Sequence, residues 1–485
     1  MENSPRQKQE FIDPRTNVKE YPANILGVGK AFAKSVKNRI KYVEDTGKYH
    51  YFDGIRWRMD RNKIHLETEI RNFALFLDSL MGTVDDVVTV DGKKQSDPYM
   101  SVTNSLQYPE KWSSFDKASR LDNYVSRCAF DSDGNNGSFG LFNCKNGTYD
   151  LDKMEYRSHD PTDMLTKVAG VLYDKDAKCA EWDSFINEIM CGEVEMVRYL
   201  QKVMGYAITT DTRLECMWFL YGSKSRNGKS TFINTIAKVM GDYARNVQPA
   251  SIAKRSSLDG SKASSDLARL AGSRLVNISE PPAGFKVDSA QLKQQTGNDA
   301  MTVRPLYQEF FEYIPKHKMF VVTNHLPAIT DDALFASGRI VVISFNRHFT
   351  EEEQNKELKH IFSKPENLSA VLNWLIEGLR LYKAEGLEQP KAVQDAIKEY
   401  RRNADSASLF ITECVEPCED SKSLREKFHA AYTEWCSANQ LAAVKQNVFY
   451  DLLKHKLNIK HLNKNDKDIA VGGRYVVGYQ LKKTS

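Results

Sequence analysis

The sequence predicts an α/β fold built on a parallel central sheet, with a mixed module ahead of it and a small, basic module after it. Three observations carry that prediction. Four short, continuously apolar runs (Cys216–Tyr221, Leu275–Ser279, Met319–Thr323, Ile340–Phe345) alternate with helical stretches. Runs apolar on both faces are what buried parallel strands look like. A glycine-rich segment opens directly after the first run, and polar residues suited to chemistry stand at the ends of others, where sheets of this kind carry their ligands.

The elements follow in chain order. Residues 1–22 are polar, carry three prolines and lack periodicity, so they read as a flexible leader. Residues 23–175 read as a mixed α+β domain. Helical spacing runs through Ile25–Val43, strand-like runs follow at Lys48–Phe52 and Gly54–Met59, and an Asn-Gly turn sits between short apolar runs in Phe142–Asp150. Asp131-Ser-Asp133-Gly has the start of a calcium loop but not its distal glutamate, and reads as a loop. Residues 176–212 are helical (Trp182, Phe185, Ile186, Ile189, then Val197, Leu200, Val203) and form a collar before the sheet domain at 213–388. Gly386 to Pro390 punctuates the chain. Beyond it, residues 392–485 suggest helices and a short hairpin, the order of a small winged-helix-like module.

Composition removes several classes. At 485 residues and 55.3 kDa, with 41% apolar and 27% charged residues, the chain is an ordinary globular sequence of about three domains. No apolar run is long enough to span a bilayer, and the first residues lack the apolar stretch of a signal peptide, so no membrane partner is expected and the cytoplasm is the expected location. The eight cysteines are scattered and read as reduced; Cys414 and Cys418 would supply only half a metal site. Net charge is only +4, yet Lys445–Ser485 holds nine basic residues against three acidic ones. Such a block suits a polyanion, or is simply a solvated face.

The chemistry starts at Gly222-Ser223-Lys224-Ser225-Arg226-Asn227-Gly228-Lys229-Ser230-Thr231. It fits G-x-x-x-x-G-K-[ST] between a strand and the helix that continues through Phe232–Met240. Glycines let backbone N–H groups curl round phosphate oxygens, and the helix N-terminus adds a favourable field. ATP is the expected cofactor, with Lys229 on its β- and γ-phosphates and Ser230 on Mg2+. Glu280 closes the second run, where a hydrolytic site needs a carboxylate to orient water and help hold the metal. Asn324 closes the third, placed to bond the γ-phosphate and the attacking water; the plain alternative is an Asx turn. Arg339 precedes the fourth and could reach a neighbouring subunit's phosphate, or be a surface arginine.

Between Glu280 and Asn324, Met301–Tyr307 and Phe310–Ile314 suit a hairpin. Arg304, Tyr307, Lys316 and His317 would project from it, offering charge for nucleic-acid phosphate and a ring for base or sugar. The alternative is a hairpin packed on its own domain.

These motifs in this order resemble the superfamily 3 helicases, in the phage, plasmid and poxvirus primase-helicase branch. Ser279-Glu280, Leu292-Lys-Gln-Gln-Thr-Gly297, Arg304-Pro-Leu-Tyr307 and Thr323-Asn324-His-Leu-Pro327 carry the likeness. It extends outward through Val43–Trp57, Asn143–Leu151 and Ser158-His159-Asp160-Pro161, so that it covers roughly Ile25 to Tyr382. The resemblance implies an AAA+ type ATPase that forms a ring, expected to be a hexamer, and translocates along single-stranded or forked DNA, commonly 3′→5′. It also implies replication of a mobile element in a bacterial host, with a separate primase or polymerase. Relatives often carry a primase-polymerase domain ahead of this region; only a short leader stands here, so no primer synthesis is expected. Arg339 lacks the family's usual second arginine, which leaves it the sole candidate finger.

Two rival readings follow from the same residues. One is an origin-binding initiator, whose residues 392–485 read duplex DNA and whose ATPase drives assembly or local melting. The other is a P-loop phosphotransferase, which has no need of Asn324 and Arg339 in these places.

Overall fold

The computed structural model describes residues 10–81, 87–90, 93–132, 138–249, 265–282, 285, 287–305, 309–327, 329, 331–404, 406–439, 441, 443–462 and 472–482. The chain divides into two compact units, Met1–Ala169 and Gly170–Ser485.

The first unit is mixed α+β. Its helix Ile25–Val36 begins at Asn24, whose side chain accepts from the backbone N–H groups of Leu26 and Gly27. The helix stops at Val36, short of the expected Val43, because Ile40–Val43 pairs as a strand with Lys48–Phe52. Trp57–Asp60 extends that sheet antiparallel and Tyr124–Val125 joins its other edge in parallel. Phe32, Phe73 and Phe115 fill the core beneath it. The flexible leader is corrected for residues 10–22. Asp13 caps a short turn at Pro14–Asn17, Phe11 packs edge-on to Phe73, and the buried Tyr21 gives its carbonyl to the Tyr99 hydroxyl at 2.5 Å. The two aromatic side chains bury apolar surface that contributes to ordering the segment. A second sheet, Leu141–Asn143, Thr148–Asp150 and Glu155–Arg157, turns at Asn146-Gly147 as the sequence suggested.

The second unit opens with two collar helices, α1 (Ala180–Ile189) and α2 (Val194–Ala207), then β1 (Met217–Tyr221) and α3 (Lys229–Met240). Next come β2 (Ala244–Val247), β3 (Leu275–Ser279), α4 (Ser289–Thr296), β4 (Lys318–Thr323) and β5 (Ile340–Ser344), followed by the long helix α5 (Pro365–Glu385). The five strands form one parallel sheet in the order β2-β3-β4-β1-β5. Every residue of β4 is buried, which is why its run carried no alternation. The edge strand β2 escaped the sequence reading because Ala-Arg-Asn-Val has neither an apolar run nor an alternation. Helices α2 and α5 meet backbone to backbone: a Cβ on Gly205 would lie 2.1 Å from the Leu379 nitrogen.

The C-terminal elements run helix Ser406–Cys414, strand Val415–Leu424, helices Arg425–Ala438 and Gln446–Lys456, then strands Ile459–Leu462 and Gly473–Leu481. The last strand lies between the other two. Phe410, Phe428, Tyr432 and Phe449 make their core. The strand Val415–Leu424 was not foreseen, because it is polar, carries Pro417 and shifts register between Pro417 and Lys422.

Among the described residues no helix is long and apolar enough to cross a membrane, and no group of three or more His, Cys, Asp or Glu is placed to hold a metal. All eight cysteines are free.

Candidate nucleotide-binding site

The site is built at the carboxyl ends of β1, β3 and β4. Strand β1 is held on both sides, in register with β4 and β5, so Tyr221 delivers the loop Gly222–Gly228 from a rigid base. The loop is backed by the chain after β5. Phe345 N–H donates to the Tyr221 carbonyl at 2.7 Å, Phe349 N–H to the Arg226 carbonyl at 2.9 Å, and a His348 ring nitrogen lies 2.8 Å from the Ser225 carbonyl. Both glycines of the motif are required by contact. A Cβ on Gly222 would lie 2.2 Å from Asn227 Nδ2, and one on Gly228 would lie 2.5 Å from Ile189 of α1. Gly228 also has φ +83°, a left-handed conformation open to glycine at little cost. Collar helix α1 therefore packs directly on the loop.

Lys229 stands in the first turn of α3 with only 4% of its surface exposed. Its Nζ donates to Asn227 Oδ1 at 2.9 Å, to Asn324 Oδ1 at 2.9 Å and to the Gly222 carbonyl at 3.3 Å. Burial pulls the ammonium down to about 8, with Glu280 opposing the shift. Glu280 leaves β3 exposed, at φ +52°, its backbone N–H tied to the Val322 carbonyl at 2.9 Å. A non-glycine residue at positive φ carries strain, and here it turns a carboxylate out at the strand end, towards solvent. Asn324 is half-buried beyond β4, where Thr323 Oγ1 closes a small turn with the His325 backbone. Ser230 is exposed beside Lys229. The structure thus brings Lys229 and Asn324 into contact and Glu280 within electrostatic reach.

The other predicted residues lie elsewhere. Arg339 is at the start of β5, the opposite end of the sheet from the loop. Its guanidinium donates to the Glu215 carboxylate, to the Glu215 carbonyl at 3.2 Å and to Thr296 Oγ1 at 2.7 Å. Within the chain it is a clamp. His317 is a correction: it is 2% exposed, shares a hydrogen bond of 3.2 Å with Gln295 Oε1, and is held neutral by burial, down to about 4, with the charge of Lys318 adding to the effect. Its position next to the fully buried strand β4 turns it inward, so DNA cannot reach it. The hairpin exists as Met301–Val303 paired with Phe311–Tyr313. Arg304 is exposed, with its guanidinium 5.1 Å from the centre of the Phe310 ring, and Lys316 is half-buried. Tyr307 lies outside the described residues. Phe310, 60% exposed, is an aromatic candidate that the sequence reading passed over, because it stands within the run Phe310–Ile314. Glu215, partner of Arg339, gave no signal in sequence.

The fold and site define an α/β chain whose glycine loop, lysine, carboxylate and amide converge at one end of a parallel sheet. The family described as "D5 N terminal like" matches residues 29–191, and one described as "Family of unknown function (DUF5906)" matches residues 220–339. Residues 29–191 thus resemble the D5 N-terminal-like domain, and the curated relatives the chain is similar to are named as viral helicases. It is 26% identical over 325 residues to "Putative helicase L207/L206" of Acanthamoeba polyphaga mimivirus, covering 61% of this chain and 34% of that protein. It is 28% identical over 229 residues to "Putative helicase 022R" of Frog virus 3, covering 44% and 23%. To "Putative helicase 121R" of Invertebrate iridescent virus 3 it is 21% identical over 359 residues, covering 66% and 38%. The chain thus spans well under half the length of these relatives. Among solved structures, the apo NrS-1 C-terminal region (305-718) is similar over 93% of this chain and 99% of that one, with 10% identity and a TM-score of 0.43.

Proposed function

We propose that the chain is an ATP-dependent DNA helicase that works as a ring, with an AAA+ type core between the D5 N-terminal-like module and a winged-helix-like C-terminal module. The observation that carries this reading is the convergence of Lys229, Asn324 and Glu280 at the ends of three neighbouring strands. Three observations support ATP and Mg2+ as cofactors. The loop has no room for a side chain at Gly222 or Gly228, Lys229 points its charge across the loop, and the Ser230 hydroxyl and Glu280 carboxylate are exposed. Ser230 and Glu280 would hold the metal, which supplies charge neutralisation at the phosphates. The chain's own part is positioning. Backbone N–H groups of Ser223–Thr231 receive phosphate oxygens, Glu280 polarises the attacking water, and Asn324 orients it.

In this reading Arg339 acts on a neighbouring subunit, and it must give up Glu215 to do so. Arg304 and Phe310 grip the single strand by charge and stacking, with Lys316 behind them. In the C-terminal module the strand order and the exposed Lys454, Lys460 and Arg474 support contact with duplex DNA, the feature an origin-binding initiator would also use. A separate primase or polymerase partner and a bacterial cytoplasm belong to the same proposal.

The test is ATP hydrolysis with and without single-stranded DNA, beside strand displacement on a forked duplex and a Lys229→Ala control. Displacement that needs ATP and vanishes in the control supports the motor. Hydrolysis with tight duplex binding and no displacement supports the initiator. A folded, assembled preparation that hydrolyses nothing refutes the roles given to Glu280 and Arg339.

A further inference from the structure

Lys229 rests on two asparagine oxygens at the same distance, yet the two asparagines are held very differently. Asn227 is 4% exposed and wedged inside the loop. Its Nδ2 donates to the Lys224 carbonyl at 2.7 Å and fills the space where a Gly222 Cβ would stand, while its Oδ1 takes Lys229. The amide therefore closes the loop from within and cannot swing away without opening it. Asn324 is half-buried on a turn at the mouth of the site, and its Oδ1 has Lys229 as its donor. An ammonium has three protons, and here the Gly222 carbonyl and the two amides accept them. A phosphate oxygen arriving at Nζ must displace one of these acceptors, and Asn324 is the one free to leave.

We propose that Asn227 is a positioning residue, the fixed dock that aims Lys229 at the phosphates, and that Asn324 is the exchangeable dock, freed when nucleotide takes its place on Lys229. The proposal rests on the reading of Gly222–Thr231 as a nucleoside triphosphate site. It gives the two asparagines opposite signatures. Losing Asn227 costs nucleotide affinity, because Lys229 loses its aim and the loop its tie. Losing Asn324 leaves affinity unchanged or tighter, because a competitor for Lys229 has gone, and costs turnover instead. It also links binding to the task of Asn324 without a backbone movement: its amide turns to the reacting groups only once Lys229 is engaged elsewhere.

The experiment measures binding of a non-hydrolysable ATP analogue, and separately KM and kcat for ATP, in the full chain and in Asn227→Ala, Asn227→Asp and Asn324→Ala. Asn227→Ala should weaken analogue binding ~10-fold or more with kcat nearly retained, since Lys229 loses a charge-assisted partner. Asn227→Asp should weaken it further, because a carboxylate pins the ammonium and repels the phosphates. Asn324→Ala should bind the analogue at least as well as the parent and lose kcat. In a Lys229→Ala background the extra cost of aspartate over alanine at position 227 should shrink, since the pinned partner is gone. Melting of each nucleotide-free variant checks the fold. An Asn227→Asp chain that melts normally and binds better than Asn227→Ala overturns the dock, since a purely structural amide tolerates its isostere best. Asn324→Ala weakening analogue binding as much as Asn227→Ala overturns the exchange. If the parent chain binds no nucleoside triphosphate, the reading of the loop falls first and takes the proposal with it.

Discussion

The two ends of the five-stranded sheet use the same residue types and put them to different ends. At the carboxyl end, Lys229 opens helix α3 while Asn324 and Glu280 follow the strand ends, with exposed or half-buried groups beside them. At the amino end, Lys318 is buried and donates to the Thr209 carbonyl and hydroxyl, Arg274 is buried with its NH1 on the Ile208 carbonyl at 2.8 Å, and His317 and Arg339 are tied down. Burial pushes Lys318 well below its ordinary value and pulls Lys229 down to about 8. A lysine whose acceptors include a group at the mouth of a cleft can be redirected by a ligand. A lysine closed in by backbone carbonyls, with an aromatic ring 4.9 Å from its Nζ, cannot. Polar character does not mark the working end; acceptors that can be exchanged do.

The sharpest break of that comparison is at Lys229. Lys229→Ala should abolish hydrolysis and weaken nucleotide binding more than any other single substitution, with little loss of fold, because the residue works on a ligand; a melt beside a binding isotherm checks it. Glu280→Gln should keep binding and lower hydrolysis by ~100-fold or more, the range seen for a lost general base. If Glu280→Gln instead loses binding and hydrolysis together, the carboxylate is holding the loop, not the water.

The pH dependence separates the ends in opposite directions. Lys229 must be protonated to receive phosphate, and with its value near 8 the lysine's contribution to nucleotide affinity is held below that pH and falls away above it. His317 is charged in the unfolded chain below about 6.5 and stays neutral in the folded one down to about 4. The unfolded state therefore binds more protons in that window. The contribution of His317 is complete above pH 6.5 and is lost as pH falls towards 4, on the order of 3 kcal/mol in all. Urea melts between pH 4 and 7 check this, and His317→Leu should flatten the slope. The same substitution should leave DNA affinity alone while leaving Gln295 without a partner, at a cost of about 1–3 kcal/mol. A loss of DNA affinity without a change in the melt would return His317 to the DNA surface.

How much of this was legible follows the same division. Four of the five strands, the loop and its lysine could be read, because a buried parallel strand and a glycine turn leave local marks in sequence. The edge strand β2 and Glu215 could not, since one pairs through its backbone alone and the other acquires meaning only when folding sets it beside Arg339, far along the chain. His317 and Arg304 show the limit most plainly. Both are basic residues in one segment, and composition does not show that His317, beside the fully buried β4, turns inward while Arg304, after the strand Met301–Val303, stays exposed.

The hairpin tip carries the smallest expected effects, and it tests whether the amino end has a working part at all. Its base is fixed, with the Tyr313 hydroxyl on the Leu267 carbonyl at 3.0 Å, while Phe310 and Ile314 stay exposed. If Phe310 stacks on a base, Phe310→Ala should weaken single-strand binding by about 1–3 kcal/mol and leave its salt dependence unchanged. Arg304→Ala removes one charge and should lower the salt slope by about 1, with a modest loss of affinity common to all sequences. The two readouts are independent, since stacking releases no counterions and a lost phosphate contact removes no ring. Should both variants bind and unwind like the parent, the exposed tip is a solvated turn, and the strand must be gripped by residues other than this pair.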